Sequence, residues 1–282
     1  MSAVLLYFIL SFLAGCAIIS LLKFELFLEE KIVWAAAFGA LFQTLTLLLF
    51  SLFFGFTKPQ IIFFLAVIFL LTVVLAIVKR ALFLSQLKND FYLFKKRLRN
   101  KKLNLFLFLL LASLIFFGAL WPKVFFYDRA DNISTIGTPG VWGDWALHAA
   151  YVSHFAYSDN ILLSDPIFAG NSLSYTFLAD FLSAVLVKMG ANLVSALIVP
   201  GFLFSLLFVA AFYYFVFRLT GRQNVALLSL LLFLLGGGLG AVFFLQDIPG
   251  LNFEAIINFL KTSNKEYTNL SNSNIYWTSF LN

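Results

Sequence analysis

KRALFLSQLKNDFYLFKKRLRNKK, residues 79–102, decides how this chain is threaded. Nine of its nineteen lysine and arginine residues fall here, against one acid, Asp90. The segment stands between two long apolar runs, 61–78 and 103–121. Short cationic segments beside membrane spans are retained in the cytoplasm. Their side chains meet anionic lipid headgroups there. The formal net charge of +6 is therefore a membrane-surface feature, and nucleic acid is not expected as a partner.

Outward from that segment the chain is mostly apolar. Hydrophobic residues make up 62% of 282, charged residues 11%, and phenylalanine occurs 38 times. A soluble domain of this size has no means of burying so much apolar surface, whereas a bilayer covers it. Runs at 4–22, 32–56, 61–78, 103–121 and 193–217 are long enough to span a hydrocarbon core. A sixth, 225–245, is interrupted only by glycines. The first run is read as a retained helix: no basic residue precedes it and no small-x-small cleavage site follows. Cys16, the lone cysteine, has no internal disulfide partner.

With 79–102 inside, the run at 103–121 leads out and residues from 122 onward lie outside. Counting backwards, TKPQ (57–60) is an outer turn, KFELFLEEK (23–31) is inner, and the N-terminus is outer. Residues 174–190, SYTFLADFLSAVLVKMG, admit two threadings. If they cross, Arg218 and Arg222 end outside. If they lie along the outer surface, 193–217 enters and RLTGR (218–222) is cytoplasmic. The basic pair favours the second, as does Asp180, which is costly in a lipid-facing span and tolerable in an interfacial helix. The expected fold is thus an all-α polytopic membrane protein with about six transmembrane helices and two juxtamembrane helices in an outer loop. Its parts are 1–121, four spans with the basic cytoplasmic loop 79–102; 122–192, the outer loop; 193–245, two spans; and 246–282, an outer polar tail. The localisation implied is the plasma (inner) membrane, with the loop on the outer face.

That loop holds most of the reactive groups. KVFFYDRADNISTIGTPGVWG (123–143) mixes charges, glycine and proline and reads as irregular. A helical pattern begins at Asp144, a plausible N-cap. At 100° per residue Asp144, His148, Tyr151 and Phe155 share one face within about 40°, while His154 lies roughly 80° from Asp144. A carboxylate one turn before an imidazole binds a cation, orients a hydroxyl or passes a proton; the bland alternative is a helix cap with a surface contact. DPIFAGNSLSY (165–175) adds Asp165, Asn171 and Tyr175 as groups able to hold a hydroxylated ligand, or is simply a connector. Lys123 and Arg129 stand near the end of the fourth span, as helpers for a departing phosphate or as snorkelling side chains. GGGLG (236–240) follows no strand and precedes no lysine, so it reads as close helix packing rather than a phosphate cradle. Asn132 and Asn269 fit the glycan-acceptor pattern.

The order of parts then becomes informative: an acid heading a loop helix (GDWALHAAYVSHFA), a proline-bearing turn (DPIFAGNSLSY), a second surface helix (TFLADFLSAVLVKMG), and two spans joined by RLTGR. This layout, over about residues 121–245, resembles the first-loop module of the GT-C membrane glycosyltransferases, the superfamily of protein mannosyltransferases and lipid A aminoarabinose transferases. The resemblance implies transfer of a sugar from a polyprenyl-phosphate carrier to an acceptor on the outer face. It gives Asp144 the role of base or ligand to a divalent metal (Mg or Mn). Many relatives carry Asp-Glu where this chain has Gly143-Asp144, so a two-carboxylate metal site is not matched. His148 and Asp165 are candidates from geometry alone. Relatives usually have more spans and often a soluble outer domain, which implies an N-terminal portion or a protein partner completing the fold. The competing class is a non-catalytic multispan subunit or a degenerate relative that binds lipid carriers. A transporter is disfavoured, since no span carries a charge near its centre and no inverted repeat is visible.

Overall fold

Long apolar runs become helices because a helix satisfies its own backbone, the condition a bilayer imposes. The computed structural model describes residues 2–22, 24–100, 103–123, 125–128, 133–136, 142–161, 163–168, 170–235, 240–250 and 252–262. The helices are α1 (Ser2–Leu22), α2 (Leu28–Phe54), α3 (Lys58–Val78), α4 (Arg80–Arg99), α5 (Asn104–Leu120), α6 (Trp142–Ala156), α7 (Leu178–Lys188), α8 (Leu193–Thr220), α9 (Gln223–Leu235), α10 (Gly240–Asp247) and α11 (Phe253–Thr262). Four are long and apolar enough to cross a membrane: α1, α2, α3 and α8. Helices α4 and α5 meet at 92°, and counting that bent pair makes five. The run at 225–245 is divided between α9 and α10, and residues 236–239 of its glycine stretch lie outside the described residues. Large apolar side chains such as Val78, Phe108 and Ile115 face outward, and so much exposed hydrocarbon fits a bilayer rather than water.

Met1–Phe215 form one compact unit and Val216–Asn282 a second. The first is organised on the crossing of α1 and α2. A Cβ built on Gly15 would stand 1.8 Å from the Ala35 carbonyl oxygen, and one on Gly39 1.9 Å from that of Ser11. Only hydrogen fits at either point. Close backbone approach through small residues is how apolar helices associate when lipid competes equally for their side chains. Around the crossing, Tyr7 Oη and Thr44 Oγ1 share a hydrogen bond of 2.8 Å, and Gln43 Nε2 donates to the Tyr7 carbonyl at 3.2 Å. These bonds satisfy polar groups that hydrocarbon would leave bare.

The segment read as a basic loop is helical: α4 covers twenty of its residues. It is clasped to the start of α2. Lys31 Nζ meets Asp90 Oδ2 at 2.7 Å, Arg97 Nη2 meets Glu29 Oε1 at 3.0 Å, and the Arg97 guanidinium lies 3.5 Å from the centre of the Phe27 ring. Gln86 Nε2 also donates to the Ser20 carbonyl. The start of α2 and the helix α4 therefore share one end of the bundle. At the far end of α2, some 40 Å away along 27 residues, the Phe56 amide donates to the Asp159 carbonyl at 2.7 Å. There Gln60 accepts from the Thr57 amide, closing a capping box that starts α3.

Two expectations for the loop change. The stretch read as irregular contains an antiparallel hairpin, β1 (Phe125–Asp128) with β2 (Ile133–Ile136), Phe125 opposite Ile136 and Asp128 opposite Ile133. Helix α7 has 11 residues, about 16 Å, too short to cross a core of about 30 Å. It is not a peripheral rider, however: Asp180 through Leu186 are all buried. It packs between α6 and the ends of α1 and α2 in one cluster that includes Phe56, Ile61, Phe155, Phe181 and Val185. Asn132, Asn269 and most of the tail lie outside the described residues.

Candidate functional site

The burial of α7 brings a carboxylate against the loop helix. Asp180 occupies the first turn of α7 and its side chain is 4% exposed. It faces His148 on α6, with Nδ1 2.9 Å from Asp180 Oδ1. The contact is a charge-assisted hydrogen bond in which Nδ1–H donates, and it leaves Nε2 as the ring's other polar atom. His148 is 30% exposed, so the imidazole has one buried side and one open side. Its pKa is raised above 6.5, first by the hydrogen bond to Asp180, then by the charges of Asp180 and Asp144, against a lowering by burial. The second oxygen, Asp180 Oδ2, is buried and has no hydrogen-bond partner among the described residues.

Aromatic rings frame this pair. Trp145 lies edge-on to His148 at 6.2 Å, Tyr175 at 5.9 Å on another side, and Tyr175 stacks on Tyr151 at 5.7 Å. Trp145 is in turn met edge-on by Trp121, just after α5, at 5.8 Å. The Trp121 position is set by α8. Its indole N–H donates to Ser205 Oγ at 3.2 Å, and its ring fills the space above Gly201, where a Cβ would stand 2.4 Å from a ring carbon. The phenol of Tyr151 is pushed up, first by burial and then by the Asp165 and Asp180 charges.

Of the residues singled out in the sequence, His148, Tyr151, Tyr175 and Asp165 come together. Asp144 is exposed and sits inside the first turn of α6, which begins at Trp142, so it is not the cap. It acts on His148 through charge, while the hydrogen-bonded partner is Asp180. Asp165 also organises its own turn, Oδ1 accepting from the Ile167 and Phe168 amides at 2.8 and 3.1 Å. Asn171 belongs to the same turn through its backbone: its carbonyl accepts from the Asp165 amide at 2.9 Å. The Lys123 side chain and the whole of Arg129 lie outside the described residues.

Asp180, Trp121 and Trp145 were not singled out for chemistry. For Asp180 a signal existed: it is the only charge in LADFLSAVL, and an acid in apolar surroundings marks function unless paired. A divalent ion at Asp144 would need further donors. Among the described residues no group of three or more His, Cys, Asp or Glu side chains is gathered. No family model, curated protein or solved structure matches this chain.

Proposed function

We propose that this chain is a membrane glycosyltransferase of the GT-C type, or the N-terminal portion of one, acting on a polyprenyl-phosphate-linked sugar. In this reading the six expected spans thread as the positive-inside rule dictates, and the His148 end of the bundle faces outward across the plasma (inner) membrane. The observation that carries it is the Asp180–His148 pair, ringed by aromatics and held at the bundle end opposite the cationic helix α4.

Transfer breaks the bond between the anomeric carbon and a phosphate oxygen and makes one from that carbon to an acceptor hydroxyl. The leaving phosphate takes the electron pair, and the hydroxyl proton goes to His148 Nε2. Asp180 is a positioning residue: it fixes the tautomer that presents Nε2 and stabilises the imidazolium formed. Asp144, exposed one turn earlier, contacts the acceptor and adds negative potential at the ring. Tyr175 and Trp145 offer ring faces to a sugar, the buried Tyr151 stacks behind Tyr175, and Asp165 and Asn171 offer polar groups at the rim. Lys123 and Arg129 are assigned to the departing phosphate. No step is routed through a metal.

The test is transfer from a synthetic polyprenyl-phosphate sugar by the membrane-reconstituted chain. Asp144→Asn and His148→Gln should each abolish turnover while insertion stays normal. Full turnover in both variants refutes the assignment. Cysteine labelling at Ser158 and Ser271 should succeed from outside intact cells; protection at both inverts the threading.

A further inference from the structure

The clasp that holds α4 also fixes which side of it is turned away, and that side is built for a specific surface. On a helical wheel, Asp90 and Arg97 lie about 20° apart and point at α2. Beyond them Leu87, Leu98, Phe91 and Leu84 form a strip about 60° wide, all exposed. Next to it, within about 40°, run Lys88, Lys95 and Arg99, exposed and without an ion-pair partner among the described residues. The remaining arc carries the exposed Tyr92, Ser85, Lys96, Asn89 and Leu93, and Arg80 stands at the start of the helix in line with the strip.

A helix with a docked face, an exposed apolar strip and a cationic row has a defined orientation at a lipid surface. The strip enters the acyl boundary and the row lies at headgroup depth. The 92° angle to the apolar helix α5 agrees: if α5 stands upright, α4 lies in the plane. We infer that α4 is an interfacial helix whose Lys88–Lys95–Arg99 row binds the headgroups of anionic phospholipids. The row rises about 16 Å over eleven residues, so it engages more than one headgroup. The two ion pairs to α2 take Lys31 and Arg97 out of this contact and stop the helix rolling, so the rotational register that turns the cationic row towards lipid is imposed by protein.

The experiment uses the full chain, with Cys16→Ser, in bilayers of phosphatidylcholine with 30% phosphatidylglycerol (roughly three lipids in ten, an anionic content on the order of biological leaflets). An environment-sensitive dye at Leu87→Cys should report hydrocarbon, and the same dye at Ser85→Cys should report water. Spin-labelled phosphatidylglycerol should associate several-fold more strongly than spin-labelled phosphatidylcholine, with each cation contributing on the order of fivefold at low salt. The triple variant Lys88→Gln, Lys95→Gln, Arg99→Gln should lower that ratio several-fold while the Leu87 dye stays in hydrocarbon, which verifies the fold. Near 1 M salt should do the same to the native chain, since screening there acts within about 3 Å. An aqueous signal at Leu87, or a lipid preference unchanged by the triple variant, overturns the inference. So does shielding of Leu87 that requires added nucleic acid or protein.

Discussion

Replacing Gly39 by alanine places a methyl carbon 1.9 Å from the Ser11 carbonyl oxygen, where ordinary contact begins at 3.4 Å. The helices must part by about 1.5 Å at that point, enough to forfeit most of the dispersion energy of the atoms facing each other there. Overpacking of this kind costs about 1–3 kcal/mol. The strained Tyr7–Thr44 hydrogen bond adds about 1 kcal/mol, and alanine's better helix propensity returns about 0.5–1 kcal/mol. The net expectation is a loss of about 2 kcal/mol for Gly39→Ala and a similar loss for Gly15→Ala. The two sites face each other, the new Cβ on Gly15 coming 3.0 Å from the Gly39 Cα. One separation therefore makes room for both methyls, and the double variant should lose about 2–3 kcal/mol rather than the sum. Reversible unfolding in mixed micelles by titration with dodecyl sulfate measures all three differences. Additivity within about 0.5 kcal/mol, or single losses below that size, would show that the helices are not in backbone contact.

Four further outcomes are expected. In Asp180→Asn the His148 pKa should fall back towards 6.5, read by NMR of labelled imidazole; an unmoved titration refutes the pairing. Because folding raises that pKa, the pair stabilises the fold fully below the unfolded value of 6.5 and less as pH rises through the folded one, so a stability–pH slope should be present natively and shrink in Asp180→Asn. Gly201→Ala should evict the Trp121 ring, cost about 1–3 kcal/mol and shift tryptophan fluorescence; an unchanged spectrum argues against the α8 contact. Arg97→Met should cost about 3–5 kcal/mol by stranding the buried Glu29, and adding Glu29→Gln should recover part of it; no recovery means the pair is not coupled.

What the sequence discloses depends on the range of the interaction. Helices α1, α2, α3 and α8 were visible as apolar runs, because hydropathy and length are local properties. Helix α6 was visible from Asp144 onward through its apolar spacing, though it starts two residues earlier. The partner of His148 was not: Asp180 is 32 positions away, and only tertiary packing selects it over Asp144, four positions away. The same holds for close packing. GGGLG lies almost wholly outside the described residues, and the close backbone contacts between helices seen among those residues are at Gly15 and Gly39, isolated glycines whose meaning exists only once α1 meets α2. The hairpin at 125–136 was hidden because its strands are four residues each, too short for alternation to stand out.

The burial of the middle of α7 has a consequence for biogenesis. Eleven residues do not sustain a helix alone, and those from Asp180 to Leu186 have neighbours on every side. During synthesis α7 must wait for α1, α2 and α6, all earlier in the chain, before it has anywhere to settle. Until then His148 lacks the hydrogen bond that does most to raise its pKa. A nascent chain paused before α7 thus lacks the Asp180–His148 hydrogen bond, which forms only when assembly has succeeded.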